Sequence, residues 1–351
     1  MIIKLLITTY IDEKNIERLK TLFSEIKFAG MTELGRILTE DELANAIEDC
    51  DAIIIEFDPL TKKVLDRAKK LKVIASVRGG AHANVDVDAV TKRGIPIFNV
   101  PGRNQDTVAD FTIGMMIAVS RGIAKGNLLI KNRVITDDKT YVENGFCVTD
   151  VNWVGSTPEK FAYLQYKGPT LAGKTIGLVG FGAIGRETAK RALAFDMKVL
   201  AYDPFVKQED ISVEVQLVEL EELMAASDFV SIHLPVNDGT RGIVSADMLS
   251  KMKVTAYLIN TARAAVMDYD KLIDMLQKEE LAGAALDVYP VEPLPNNHPL
   301  LELDNVVLTP HIGGCSMDPY DRSYDKLFTE LKLFLAGGMP EKVYNPEFAN
   351  Y

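Results

Sequence analysis

The sequence contains little cysteine and little histidine, and it has a single tryptophan. Its three cysteines, Cys50, Cys147 and Cys315, are odd in number and far apart, so they form neither a disulfide framework nor a zinc motif. We therefore expect a reducing, cytoplasmic setting and no metal site. The four histidines are His82, His233, His298 and His311.

Long apolar runs are absent as well, and so is an excess of positive charge. The longest apolar candidate, Phe111–Val119, is about half the ~18 residues needed to cross a bilayer. The N-terminal stretch MIIKLLITTY lacks a basic leader and a cleavage site, so it predicts a first strand and not a signal peptide. A formal net charge of −11 disfavours nucleic acid and anionic membranes as partners. A small anionic substrate stays compatible, because it responds to the local field of its pocket.

Short apolar, β-branched runs alternate with helix-period segments along most of the chain. Strand candidates include DAIIIE, KVIASV, TIGLVG, FVSIHL and GAALDV, and the helical segments include TEDELANAIEDC and YDKLIDMLQKE. Thr39–Glu42 heads one of these helices like a capping signal. Such alternation predicts parallel sheets covered by helices on both faces. The strands are too many for one sheet, so we expect two doubly wound α/β domains.

The segment TIGLVGFGAIGRETAKRALAF places Gly180, Gly182 and Gly185 in a G-x-G-x-x-G pattern between a strand and a helix. In dinucleotide-binding folds the first glycine permits a tight turn, the second lets the backbone approach a pyrophosphate, and the third lets helix and strand pack closely. The next strand ends in Asp203, 18 residues after Gly185. A carboxylate there accepts hydrogen bonds from ribose hydroxyls and repels a 2′-phosphate, which favours NAD over NADP.

The mid-chain position of this loop determines the expected domains. We expect a flavodoxin-like substrate domain from residues 1–103 and 318–351, into which a Rossmann NAD-binding domain, residues 104–317, is inserted. An excursion at about 126–170 breaks the alternation and contains Trp153. It is too aromatic for a disordered linker, so we expect either an arm against a second subunit or a surface loop packed on its own domain.

Polar side chains follow three later strand candidates. Arg263 comes after YLIN, Asp287 and Glu292 come at and after the end of GAALDV, and His311 comes after NVVLTP. Ligands of open α/β sheets bind outside the carboxyl ends of the strands, so these groups should gather on the NAD side. An imidazole suits proton transfer with an alcohol, a carboxylate orients it, and a guanidinium binds a carboxylate in two-pronged fashion. Taken singly, each residue also fits a surface ion pair, a turn residue or a packed loop histidine.

In combination, these motifs make the sequence resemble the NAD-dependent D-2-hydroxyacid dehydrogenase family over nearly its whole length. The residues that carry the resemblance are GKTIGLVGFGAIGRETAKRALAFDMKVLAYDP, INTARAAVMD, LDVYPVEPLP and LTPHIGG, with SVRGGAHANVDVDA and VPGRNQDTVADFTIG earlier in the chain. The resemblance implies reversible hydride transfer between NAD(H) and a small D-2-hydroxyacid or 2-oxoacid. It implies that Arg263 binds the substrate carboxylate and that His311 is the acid/base paired with Glu292.

The resemblance also implies which residues line the two ligand sites. Asp287 would lie near the nicotinamide amide. The cofactor-binding residues would be Val108, Gly180, Phe181, Gly182, Ala183, Ile184, Gly185, Asp203, His233, Pro235, Thr240, Thr261, Ala262, Asp287 and Gly313. The substrate-binding residues would be Arg78, Gly79 and Gly80 together with Arg263 and His311. A homodimer would form through the nucleotide-binding domains, along the helix that begins near Arg103.

Departures from the family pattern leave the substrate open. Ala81 and Ala83 stand where glycine and aspartate are more usual, and His82 between them either faces substrate or lies in a surface loop. Arg78 would add a second positive charge for a doubly anionic substrate. Phosphoglycerate-type, hydroxypyruvate/glyoxylate-type and lactate-type substrates all fit. The alternative function is an NAD(H)-sensing binding protein of the corepressor type with little turnover.

Overall fold

The computed structural model describes residues 3–134, 166–211, 214–316 and 319–351. The chain forms two compact units: unit 1 is Met1–Asn104 with Ser316–Tyr351, and unit 2 is Gln105–Cys315. In the sequence, unit 2 is thus an insertion within unit 1. Trp153 and most of the predicted excursion at 126–170 lie outside the described residues.

Unit 1 contains a five-stranded parallel sheet with the order β2-β1-β3-β4-β5. Its strands are β1 (Lys4–Ile7), β2 (Glu25–Phe28), β3 (Ala52–Ile55), β4 (Val73–Ser76) and β5 (Ile97–Phe98). In the register, Leu5 of β1 pairs with Ile26 on one side and with Ala52 on the other. This is the flavodoxin-like strand order, and the fold predicted for this part of the chain is confirmed.

In the described residues of unit 1, six α-helices flank this sheet. They are α1 (Glu13–Lys20), α2 (Met31–Leu34), α3 (Glu40–Ile47), α4 (Lys62–Arg67), α5 (Val87–Thr91) and α12 (Pro319–Leu335); the helices numbered between the last two belong to unit 2. The capping signal predicted at the head of α3 is present. The Thr39 hydroxyl accepts from the Glu42 N–H at 3.4 Å, and the Glu42 carboxylate accepts from the Thr39 N–H at 2.9 Å.

The strands of unit 1 are buried on both faces. Leu6 and Ile53 belong to one apolar cluster, which includes Leu43 of α3. Leu5 belongs to a second cluster, which includes Leu327 of α12. Successive side chains of a strand point to opposite faces, so each strand contributes to both clusters and needs apolar residues throughout.

Unit 2 contains a seven-stranded parallel sheet with the order β12-β11-β10-β9-β6-β7-β8. Its strands are β6 (Thr175–Val179), β7 (Lys198–Tyr202), β8 (Val215–Leu217), β9 (Phe229–Ile232), β10 (Tyr257–Asn260), β11 (Gly283–Leu286) and β12 (Val306–Leu308). The first strand, β6, lies beside β9, with Ile176 paired to Phe229. From β6 the chain adds strands on one side as far as β8 and then returns to add β9 to β12 on the other side, so the strand order reverses between β6 and β9. This is the arrangement of the Rossmann fold, and the predicted fold class is confirmed.

The helices of unit 2 cover both faces of this sheet. They are α6 (Gln105–Ser120), α7 (Ile123–Lys131), α8 (Ala183–Ala194), α9 (Leu220–Ala226), α10 (Ala246–Ser250) and α11 (Tyr269–Gln277). Met116 of α6 and Ala189 of α8 share an apolar cluster with Ile176 of β6. In the described part of the chain, no single helix is long and apolar enough to span a membrane; the bent pair α6–α7 passes that test by length and composition only.

Candidate active site

The glycine loop joins β6 to α8, and each glycine in it meets a different requirement. Gly180 has a φ of +101°, and a Cβ there would lie 2.8 Å from the His233 carbonyl oxygen. A Cβ on Gly185 would clash with the carbonyl oxygen of Gly180. At Gly182 no described atom lies within 4 Å of the Cβ position, so the loop is open there. This cradle fits a pyrophosphate, because α8 presents its amide end to it.

Asp203 directly follows β7 and lies against the glycine loop. One of its carboxylate oxygens accepts the Phe181 N–H at 2.9 Å, and the other accepts the Phe205 N–H at 3.0 Å. Each oxygen has a second lone pair, so the carboxylate can also accept hydrogen bonds from a bound ribose. The loop backbone itself therefore orients the group that was predicted to select NAD.

Other predicted cofactor residues lie beyond the ends of β9 and β10. The Nε2 atom of His233 lies 3.0 Å from Ser231 Oγ, and burial lowers the pKa of His233 to about 4, so its ring is neutral at pH 7. The Pro235 carbonyl oxygen accepts the Thr240 hydroxyl at 2.6 Å. Thr261 is buried directly after β10. These hydrogen bonds fix the His233 ring and the turn at Pro235, and the His233 imidazole is uncharged.

Four more of the predicted cofactor residues lie on α6, at the start of α8 and in the turn after β10. Ala183 and Ile184 open α8, and Val108 is buried on α6. Ala262, which follows Thr261, donates its N–H to the side chain of Asn260 at 3.0 Å.

Arg263 lies in a turn after β10 that two hydrogen bonds of the Asn260 side chain hold in place. The buried Asn260 side chain accepts the Ala262 N–H and donates to the Arg263 carbonyl oxygen at 3.1 Å. These two hydrogen bonds fix the backbone on both sides of Ala262. The Arg263 side chain stays exposed, so its guanidinium can receive a ligand.

His311 and Glu292 form a hydrogen-bonded pair. His311 Nδ1 lies 2.8 Å from Glu292 Oε2, and Glu292 Oε1 accepts the Tyr289 N–H at 3.0 Å. Burial acts to raise the pKa of Glu292, but the hydrogen bonds from His311 and Tyr289 and the positive charges of His311 and Arg263 outweigh it, so the pKa lies below its ordinary value. Glu292 is therefore ionised at neutral pH. Because Nδ1 is bound to it, proton exchange with a ligand falls to Nε2.

Asp287 holds the loop that carries His311. Its buried carboxylate accepts the Thr309 hydroxyl at 2.7 Å, the Ile312 N–H at 2.8 Å and the Gly313 N–H at 2.7 Å. These donors flank His311 on both sides. A Cβ at Gly313 would lie 2.9 Å from Asp287 Oδ2, so the approach requires glycine. Asp287 therefore sets the position of His311 without touching it.

The three predicted catalytic residues line one cavity of about 710 Å³. Tyr289 lines the same cavity. A second cavity of about 500 Å³ adjoins the same pair and is lined mainly by apolar residues, including Leu294. Within unit 2 the structure thus brings together the guanidinium, the carboxylate and the imidazole.

The predicted substrate-binding residues of unit 1 lie directly after β4. The Arg78 guanidinium lies 5.2 Å from the ring centroid of Phe57. The Gly79 carbonyl oxygen accepts a hydrogen bond from the Asn99 side chain at 2.6 Å. His82 is exposed, and its Nδ1 lies 2.7 Å from the hydroxyl of Tyr344 in the C-terminal segment.

Sequence reasoning missed the residues that hold the site in place. Asn260 is one, and Tyr289 is another. The Tyr289 hydroxyl lies 2.9 Å from the Leu286 carbonyl oxygen and 3.0 Å from the Thr309 carbonyl oxygen, so its one proton is shared between them and ties the end of β11 to the end of β12. Burial raises the pKa of Tyr289 to about 12. The only signal in the sequence was the position of Tyr289, an aromatic residue two places after Asp287.

Comparisons with known proteins show which family the chain is similar to. The sequence model for the NAD binding domain of D-isomer specific 2-hydroxyacid dehydrogenases matches residues 148–313. A glyoxylate reductase of Thermofilum pendens is 39% identical over 313 residues, which are 88% of this chain and 85% of that protein. A D-3-phosphoglycerate dehydrogenase of Methanocaldococcus jannaschii is 32% identical over 98% of this chain, but the match spans 59% of that protein.

A solved structure is similar along the whole chain. The TT0316 protein from Thermus thermophilus is 33% identical, with a TM-score of 0.76, and the match covers 97% of this chain and 99% of that one. The fold, the site and these matches define a two-unit NAD-dependent oxidoreductase. Within that class, the chain belongs to the D-isomer specific 2-hydroxyacid dehydrogenase family, and its cofactor is NAD.

Proposed function

We propose that the protein reversibly transfers hydride between NAD(H) and a small D-2-hydroxyacid or 2-oxoacid, with His311 as the acid/base. The observation that carries this proposal is the 2.8 Å contact between His311 Nδ1 and Glu292 Oε2 beside the cavity that Arg263 also lines. An alcohol can lose its hydride only if its hydroxyl proton leaves as well. A carboxylate-paired imidazole with Nε2 available supplies that function.

In the oxidative direction, the hydroxyl proton of the substrate passes to His311 Nε2. NAD, which the glycine loop and Asp203 would hold, would supply the acceptor for the hydride that leaves the substrate carbon. The ionised Glu292 stabilises the imidazolium that forms, because its carboxylate contacts Nδ1. Arg263 binds the substrate carboxylate in two-pronged fashion and holds the reacting carbon beside the imidazole. In the reductive direction, the same proton returns from Nε2 to the carbonyl oxygen.

We infer that unit 1 supplies the substrate domain and that unit 2 is the NAD-binding domain. The backbone of Gly79 and Gly80 would bind the substrate carboxylate, and Arg78 would meet a second anionic group if the substrate carries one. The relatives reported above are named as reductases and dehydrogenases of small acids, which favours turnover over the sensing alternative. Among such acids, glyoxylate, hydroxypyruvate and 3-phosphohydroxypyruvate are the first candidates.

A homodimer and a cytoplasmic location stay predictions. On α6, the helix that was expected to carry the dimer contact, seven of the sixteen residues are buried, whereas α7 exposes Ile123, Leu128 and Ile130. These exposed apolar residues support a contact through the nucleotide-binding unit and make α7 a candidate part of it. Sedimentation of an Ile130→Lys variant would test this assignment.

The experiment that tests the function follows NADH and NADPH oxidation with a set of 2-oxoacids. The set contains glyoxylate, hydroxypyruvate, pyruvate, phenylpyruvate, 3-phosphohydroxypyruvate and 2-oxoglutarate. We expect rapid turnover with at least one acid and a preference for NADH, because Asp203 repels a 2′-phosphate. If the phosphorylated acid is best, an Arg78→Ala variant should lose that preference. Bound NADH with no turnover across the set would contradict the proposal and favour the sensing alternative.

A further inference from the structure

The loop that follows β4, residues Arg78–Asn84, is tied to the body of unit 1 at both ends. At its start, the Asn99 side chain donates to the Gly79 carbonyl oxygen, and the Val100 N–H donates to the Arg78 carbonyl oxygen at 3.1 Å. At its end, the Asn84 side chain donates to the Asp58 carbonyl oxygen at 2.9 Å. Between these anchors the loop forms one turn of 3-10 helix, Ala81–Ala83, and His82 at the centre of this turn is exposed.

The C-terminal segment of unit 1, residues Val343–Tyr351, is fixed beside β5. The Tyr344 N–H donates to the Ile97 carbonyl oxygen at 2.9 Å. The buried Asn345 side chain accepts the Ile97 N–H at 2.8 Å and donates to the Ile95 carbonyl oxygen and to Thr91 Oγ1, both at 3.0 Å. These three hydrogen bonds of Asn345 hold the backbone next to Tyr344, so the position of the Tyr344 side chain is fixed at its base.

The Tyr344 side chain contacts His82 in this turn of the loop. Its hydroxyl lies 2.7 Å from His82 Nδ1, and the two rings are nearly parallel, at 15°. The His82 ring folds back over Gly80, where a Cβ would lie 2.9 Å from His82 Cε1 and 3.2 Å from Nδ1. The imidazole could move away from such a Cβ if it were unattached, but Tyr344 holds it in place. The loop therefore packs closely at Gly80 because of a contact made from the C-terminal segment.

We propose that Tyr344 is a positioning residue for substrate binding. Its hydrogen bond keeps the His82 ring over Gly80 and so fixes the backbone of Gly79 and Gly80. This inference rests on the proposed function, in which that backbone binds the substrate carboxylate. Neither Tyr344 nor His82 touches the reacting atoms, so both affect how well substrate is held and not how fast bound substrate reacts.

The test compares Tyr344→Phe with wild type in two measurements. Phenylalanine keeps the ring and its packing but removes the hydroxyl, so the variant should fold normally. In the absence of substrate, amide hydrogen exchange of residues 79–82 should become faster. With the best 2-oxoacid, KM should rise by about 3- to 10-fold, the loss expected for one hydrogen bond, while kcat and the Kd for NADH stay unchanged.

Two further variants separate the hydrogen bond from a general effect on structure. His82→Ala removes the same bond from the other side, and the double variant should be no worse in KM than His82→Ala alone. Tyr351→Phe alters an exposed tyrosine of the same segment and should behave as wild type.

An unchanged KM in Tyr344→Phe, or a fall in kcat in its place, would overturn the inference. If the wild-type protein reduces none of the 2-oxoacids, the proposed function has failed, and the exchange measurement still decides about the contact. Unchanged exchange at residues 79–82 would show that Tyr344 does not hold the loop.

Discussion

At the scale of the residue, His311 combines an unusual backbone with a paired side chain. Its φ is +56°, a conformation that residues other than glycine rarely adopt. The His311 N–H donates to the Thr309 carbonyl oxygen at 3.0 Å, and the ring meets Glu292. Contacts on both sides thus hold a strained residue in place, which is typical of functional positions. A glycine or an asparagine would adopt this backbone conformation with less strain.

His233 gives a prediction about stability and pH. Burial lowers its pKa to about 4, whereas a histidine in the unfolded chain titrates near ~6.5. Between these values the unfolded state binds more protons than the folded state, so stability falls as the pH falls. From pH 7.5 to pH 5 this one residue should cost the wild-type protein about 2 kcal/mol of unfolding free energy.

A His233→Gln variant should lack that part of the acid sensitivity, because glutamine does not titrate. Chemical denaturation at both pH values, followed by circular dichroism, measures the effect, and each protein at pH 7.5 serves as its own reference. An equal loss in variant and wild type would show that His233 is not held in its neutral form by the fold.

At the scale of the element, the positions of the proposed catalytic residues depend on the turns that follow β10, β11 and β12. The Asp287 carboxylate joins the end of β11 to the loop after β12, and the Tyr289 hydroxyl bridges carbonyl oxygens of the same two strands. Asn260 braces the turn after β10. Buried side chains thus connect the ends of β11 and β12, so a change in this connection should displace His311, the proposed acid/base.

An Asp287→Asn variant tests this connection. The carboxylate accepts from three donors, whereas an amide has one acceptor oxygen and sets its own NH₂ against a donor. We expect the protein to lose about 1–3 kcal/mol of unfolding free energy and kcat to fall by about tenfold or more, because His311 is displaced. Denaturation and steady-state kinetics measure the two effects.

The matched control is Asp210→Asn, which makes the same chemical change at an exposed position. It should leave stability within about 0.5 kcal/mol of wild type. If Asp287→Asn behaved like this control, Asp287 would not hold the His311 loop, and its predicted place near the nicotinamide would be the better account of its burial.

At the scale of the whole molecule, the sequence predicted the fold better than it predicted the residues, such as Asn260 and Tyr289, whose hydrogen bonds hold the site in place. Alternating apolar strands and helices predict parallel sheets, because parallel strands are covered on both faces, and both strand orders agree with that prediction. The motif also predicted why glycine is needed at each loop position. In the structure, a Cβ at Gly180 or at Gly185 would clash with the backbone, as that prediction requires.

What the sequence did not reveal are contacts between residues that are far apart in the chain. His82 and Tyr344 are separated by 262 positions, and no pattern in either segment predicts that their side chains meet. The three donors to Asp287 depend on the path of the loop after β12, which contains the strained His311. Tertiary packing determines such contacts, and it is not visible in periodicity or in motif spacing.

The measurement that tests the central claim most directly compares His311→Gln with wild type. Glutamine preserves approximate size and can still hydrogen bond to Glu292, but it cannot exchange a proton. NADH oxidation with the best 2-oxoacid should slow by about 10²- to 10⁴-fold, the usual contribution of a general acid or base. NADH binding, followed by fluorescence, should be unchanged. Turnover close to that of the wild type, with NADH bound equally well, would contradict the assignment of His311 as the acid/base.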